Sequence, residues 1–116
     1  MKLGEIYRLA IEKGMSKDPR SKEAVERLLE KENKQFGEMK DEEKKEYDQE
    51  KLFNPYGDTR VLFGDPELEV TRVLTGIDME TGEVLLADRV SGRGKKIDLI
   101  IAHHPEGKAM AALYQV

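Results

Sequence analysis

Apolar residues follow two different periods along this chain, and the change of period near residue 53 divides it. In the first part Leu3, Ile6, Tyr7, Ala10 and Ile11 recur at the spacing of one helix face, and Gly14 follows as a closing residue. Asp18 and Pro19 then predict an N-cap and a first-turn proline for a second helix over 19–36, with Ala24, Val25, Leu28 and Leu29 as its apolar stripe. Asp41, ahead of Glu42, Glu43, Lys44, Lys45 and Glu46, predicts a third, shorter helix with acids near its start and opposite charges three or four residues apart. The mixed-charge run 38–51 reads as solvated helix face. Residues 53–58 combine Pro55, Gly57 and two turn formers, and predict a loop.

Beyond that loop the period shortens. Residues 59–63 and the β-branched run 70–77 read as strands, the first ended by Gly64, Asp65 and Pro66. Residues 83–90 read as a helix capped by Thr81 and closed by Gly92 and Gly94. Residues 97–102 form a nearly unbroken apolar strand of the kind buried on both faces of a parallel sheet. Strand, helix and strand in this order predict a right-handed βαβ unit. The expected fold class is α/β, a helical N-terminal segment followed by a βαβ unit of a mostly parallel sheet, within a larger fold. The expected division is a charged helical segment, 1–53, and a βαβ half-domain, 54–116. One crossover helix covers only one face of such a sheet, so the chain is expected to self-associate as a homo-oligomer.

Composition narrows the function. A length of 116 residues sets one modest domain. No run approaches the roughly 20 apolar residues that cross a bilayer, and the start lacks the blocks of a secretory signal, so a cytoplasmic protein with no membrane partner is expected. The absence of cysteine excludes a disulfide scaffold, a thiolate metal centre and a cysteine nucleophile, and leaves any metal to histidine and oxygen. Twenty basic against 24 acidic residues give a net charge of -4, without the basic excess of phosphate-backbone binders, so nucleic acid is not an expected partner. Twelve of the basic and 14 of the acidic residues fall within 1–50.

One constellation carries chemistry. The two histidines of the chain, His103 and His104, are adjacent, just past the carboxyl end of the apolar strand and before Pro105. Ligands of open α/β sheets bind outside the carboxyl ends of the strands. Pro105 disfavours the α region for His104, so the two rings are expected to diverge, one imidazole on each of two metal ions with shared carboxylates. The plainer reading is a histidine pair that hydrogen-bonds a loop. Asp78, at the end of the neighbouring strand, reads either as an acceptor for an imidazole N–H or as a turn or helix-capping residue. Asp98 lies too far back along its strand, and Glu106 reads as a first-turn helix residue. No nucleophile context and no phosphate-binding glycine loop is present.

Three stretches carry a family resemblance: Asn54-Pro-Tyr-Gly-Asp-Thr-Arg-Val-Leu-Phe-Gly64, Val70-Thr-Arg-Val-Leu-Thr-Gly-Ile-Asp78 and Asp98-Leu-Ile-Ile-Ala-His-His-Pro105. Over residues 54–105 the chain resembles the Ngg-interacting-factor-three-like proteins, the type two GTP cyclohydrolase I-like family. The resemblance implies that His103 and His104 are the first two ligands of a dinuclear divalent-metal site, and imidazole with carboxylate accepts Zn, Mn, Fe, Co or Ni alike. It also implies an α/β fold, assembly into a ring-like oligomer and metal-dependent hydrolase chemistry. In that family a later aspartate and a distant His and Glu complete the site, and the sequence holds no counterpart of them. Residues 108–116 run as an apolar helix pattern without a cap, and the chain is therefore expected to be an N-terminal portion, or a natural short relative, of a longer protein. Glu106-Gly-Lys-Ala after Pro105 and the charged helices of 1–50 depart from the family pattern. The alternative function is a noncatalytic regulatory or scaffold protein that binds another protein through its charged helices.

Overall fold

The computed structural model describes residues 1–113 and orders them as α1 (Leu3–Lys17), α2 (Lys22–Glu38), α3 (Asp41–Glu46), a 3-10 turn (Gln49–Leu52), β1 (Val73–Gly76), α4 (Thr81–Gly92), β2 (Leu99–Ala102) and α5 (Gly107–Ala111). This is the expected α/β arrangement, with helices first and then strand, helix and strand. Residues 114–116, the end of the apolar pattern 108–116, lie outside the described residues.

Helix starts leave backbone N–H groups without partners. Three helices meet this in one way: Glu5, Glu43 and Glu83 reach back to accept from the N–H groups of Lys2, Lys40 and Glu80 at 2.8, 2.8 and 3.0 Å. At α2 the cap is Ser21, whose Oγ accepts from the Ala24 N–H at 3.2 Å. The expected start at Pro19 is thus corrected. Asp18 commits its carboxylate to the Arg20 N–H at 2.9 Å and to the Arg20 guanidinium at 2.9 and 2.7 Å, which bends 18–21 into a turn. Helix α1 likewise runs past Gly14, where a Cβ would stand 3.0 Å from the Tyr56 ring, so this glycine serves close approach and not helix closure.

The expected strand at 59–63 does not form. The Thr59 carbonyl accepts instead from the Tyr7 hydroxyl at 3.3 Å and the Asn54 amide at 2.7 Å, and Arg60 turns inward. Without a neighbouring strand to pair with, the segment ends in a fully presented Phe63, 95% exposed.

Strands β1 and β2 pair in parallel, with Val73 opposite Leu99 and Gly76 opposite Ala102, and α4 connects them. Both are shorter than their apolar runs. At the amino end the Asp98 carboxylate takes the Thr71 N–H, the Thr71 hydroxyl and the Arg72 N–H at 3.0, 2.8 and 3.0 Å, so the segments leading into the two strands are clamped by a side chain instead of by ladder bonds. Burial on both faces is not reached, because one helix cannot cover two faces: Val73 is 39% and Ile101 40% exposed.

Among the described residues the buried apolar side chains are Leu3, Ile11, Val25, Val70, Met79, Ala87 and Ala109. Main-chain bonds join the start of the chain to the approach to β1: Leu3 N–H to the Leu68 carbonyl, Gly4 N–H to Pro66 and Val70 N–H to Met1, each at 2.9 Å. The molecule is open for its mass. Its accessible surface is 8670 Å², against about 6,450 Å² for a compact monomer of 13.3 kDa. Its radius of gyration is 16.4 Å, against about 13.4 Å for a compact domain of this length. Among the described residues no helix is long and apolar enough to cross a membrane.

Candidate metal site

The carboxyl ends of both strands meet at the histidine pair. The ladder continues past β2, with the His103 N–H donating to the Gly76 carbonyl and the His104 N–H to the Ile77 carbonyl, both at 2.9 Å. Both histidines therefore leave a main chain tied to the end of β1. Met79 packs over Gly76, where an added Cβ would meet its side chain at 2.9 Å, and the Met79 N–H donates to Glu106 Oε1 at 2.9 Å. Glu106 thus bridges back to the β1 turn, at the residue just before α5.

Asp78 comes into this crevice. Its Oδ1 lies 2.8 Å from His104 Nδ1, which is the imidazole-acceptor role, not the helix-capping one. A carboxylate only accepts, so in this pairing a neutral His104 ring carries its proton on Nδ1 and its lone pair on Nε2. Both side chains are reachable, at 55% and 63% exposure. Asp98 sits at the opposite end of the strands, as expected.

The expected divergence of the rings does not occur: their centres are 5.4 Å apart and their planes inclined by 36°. Two imidazoles bound to one tetrahedral ion through Zn–N bonds of about 2.0–2.1 Å set their centres about 5 Å apart. A centre-to-centre distance of 5.4 Å suits imidazole ligands on one ion and on two neighbouring ions alike. Among the described residues no group of three or more His, Asp or Glu side chains is placed to hold a metal. The two imidazoles supply two donors, fewer than complete the shell of a divalent ion.

A second polar cluster had no signal in spacing or motif. The Arg60 guanidinium, 3% exposed, faces Asp48 at 3.0 Å and Glu50 at 3.4 Å, and Lys108 of α5 reaches Glu50 at 2.6 Å. Tyr7 donates to Glu50 at 2.7 Å, and the buried Asn54 donates to Tyr7 at 2.8 Å. Burial and the Glu50 partner push the Tyr7 hydroxyl up to about 12. For Glu50, burial acts upward, but the bonds from Lys108 and Tyr7 outweigh it and hold the carboxyl below its ordinary value. The cluster fastens α5, directly downstream of the histidines, to the helical segment. Its one trace in the sequence is a lone arginine inside an apolar run.

Away from this end, α2 and α3 border an open hollow of about 730 Å³ whose rim carries Glu38, Glu42, Glu43 and Glu46 beside Met39 and Tyr47. Compared with known proteins, the chain matches no family model, no curated protein and no solved structure.

Proposed function

We propose that this chain is a divalent-metal-binding protein in which His103 and His104 are ligands and Asp78 is the positioning residue for His104. The observation that carries the reading is the Asp78 to His104 contact at 2.8 Å, made where the carboxyl ends of two parallel strands meet. A carboxylate behind an imidazole fixes its tautomer and raises its basicity, which is what a metal-binding histidine requires. The cation is of the Zn, Mn, Fe, Co or Ni group, for which imidazole is a suitable donor.

Hydrolysis is the activity this reading extends to, in line with the resemblance of residues 54–105. A divalent ion held by His103 and His104 would supply Lewis acidity and a water of lowered pKa. The chain's own residues hold the imidazoles on main chain tied to β1, keep the His104 proton on Nδ1 and leave the crevice open to solvent. Isothermal calorimetry of Zn²⁺ with the chain and with a His103→Ala, His104→Ala variant tests the reading. Uptake by the first and its loss in the second is expected, and equal uptake contradicts it.

A second reading, a noncatalytic scaffold that binds a protein through its charged helices, is favoured by the glutamate-rimmed hollow between α2 and α3. Its charge suits a Lys- and Arg-rich peptide. Titration of such a peptide against the chain and a Glu42→Lys, Glu46→Lys variant tests it, and equal affinities remove it.

A further inference from the structure

One face of the two-stranded sheet has no cover. Val73 pairs with Leu99 and Thr75 with Ile101 in the register of β1 on β2, and residues two apart on a strand share a face. These four therefore form one continuous surface, which Ile77 extends past the end of β1. Val73, Ile101 and Ile77 on it are 39%, 40% and 60% exposed, whereas Leu74, Gly76, Ile100 and Ala102 on the opposite face are all half-buried. Parallel sheets are stable with both faces covered. The chain also exposes about 2,200 Å² more than a compact monomer of its mass. An obligate homodimer buries about 2,000–5,000 Å² in total, half from each copy, so the surplus is enough for pairing with a second copy. The ends of the sheet differ in charge. Arg72, Lys95 and Lys96 are exposed at the amino end, where Asp98 is engaged by the Thr71 and Arg72 N–H groups, and Asp78 and Glu80 are exposed at the carboxyl end.

We infer that two copies of this chain pack sheet on sheet through this face, with their strands antiparallel. A face of mainly β-branched side chains stacks on another like it at about 10 Å, and a two-fold contact sets the same surface of each copy against the other. With the axis lying between the faces and across the strands, β1 of one copy lies over β1 of the other in the opposite direction. Val73 then meets the partner's Ile77, and Ile101 packs near the axis against the partner's Ile101. The same rotation brings the basic amino end of each sheet over the acidic carboxyl end of the other, whereas parallel stacking sets like charges together. The outer side of α4 is a poorer surface for this contact. Its Val84, Leu85 and Leu86 are 51%, 54% and 52% exposed, but three consecutive residues of a helix point in three directions and share no face. The inference is independent of the metal reading.

The test is sedimentation velocity of the full chain in EDTA over a concentration series, with isotope-filtered nuclear Overhauser spectra of a mixture of labelled and unlabelled chain. The expected result is a dimer whose cross-peaks between copies join Val73 to Ile77 and Ile101 to Ile101. Ile101→Glu is expected to pair at least about tenfold more weakly, and Leu85→Glu, on the outer side of α4, to pair like the wild type. A monomer at every concentration overturns the inference. So does a dimer whose cross-peaks between copies fall on α4 or on the N-terminal helices and not on the sheet face, or one that Leu85→Glu dissociates and Ile101→Glu does not. Because the spectra are taken on the wild-type chain, the test does not depend on either variant folding, and the EDTA keeps its outcome separate from that of the metal titration.

Discussion

Asp78 is where the proposed metal site and a plain loop contact differ in what they predict. Replacing it by Asn keeps its size and removes the charge behind His104. Zn²⁺ affinity measured by competition with a chromophoric chelator is expected to fall about 10–100-fold in Asp78→Asn, with the circular dichroism unchanged. An unchanged affinity would make Asp78 a turn residue only. Asp98, at the other end of the strands, bears on stability. Hydrogen bonds from the Thr71 hydroxyl, the Thr71 N–H and the Arg72 N–H hold its carboxyl well below the usual carboxylate range. A carboxyl depressed in the folded state stabilises the fold above its unfolded value near 3.9, and that stabilisation is lost as pH falls toward the folded value. The melting temperature is therefore expected to drop below about pH 4, and to drop less in Asp98→Asn. Parallel acid profiles for the two would contradict the clamp. At the alkaline side, Tyr7, Tyr47 and Tyr56 are pushed up to about 12 by burial and by their bonds to Glu50, Glu32 and Asp18. Raised tyrosines stabilise the fold below their ordinary value near 10, and this is lost as pH rises toward 12. Tyrosinate absorbance is expected to show these three ionising late, and ionisation near 10 in the folded protein would contradict their bonds.

Elements were legible where a local rule decides them and obscure where a distant partner does. The helical stripes of α1 and α2, the acids of α3, the β-branched and apolar runs behind β1 and β2 and Gly94 just past α4 all act within a few residues. So does the placing of His103 and His104 past a strand. The run 59–63 has the right residues for a strand but no strand beside it, and its Thr59 carbonyl and Arg60 side chain are claimed by Tyr7, Asn54, Asp48 and Glu50. Those partners lie up to 52 residues away, beyond the reach of any periodicity. The tie of the histidine main chain to β1 escaped for the same reason: Pro105 is local, but the accepting carbonyls of Gly76 and Ile77 are not. Two substitutions test these elements by urea denaturation. Val25, 2% exposed on α2, loses about 2 kcal/mol as Val25→Ala. Breaking a buried ion pair costs about 3–5 kcal/mol, but Asp48 and Glu50 keep 43% and 24% exposure. Arg60→Ala is therefore expected to lose about 2 kcal/mol. A loss under about 0.5 kcal/mol, the range of ordinary surface changes, would contradict the packing in either case.

The whole molecule combines a small core with a large surface. Seven buried apolar residues among those described and extents of 51 × 35 × 26 Å belong to a chain whose helices and strands lie side by side more than they enclose one another. Main-chain bonds from Met1, Leu3 and Gly4 to residues 66–70 and the Glu50 to Lys108 pair tie the helical segment to the βαβ unit. The site thus rests on both parts of the chain while its own end stays open. Everything proposed for that end depends on metal binding through the histidine pair. The deciding measurement is equilibrium dialysis against Zn²⁺, followed by elemental analysis of the wild-type chain and the His103→Ala, His104→Ala variant. Metal retained by the first and absent from the second is the expected result, and equal metal in both would contradict it.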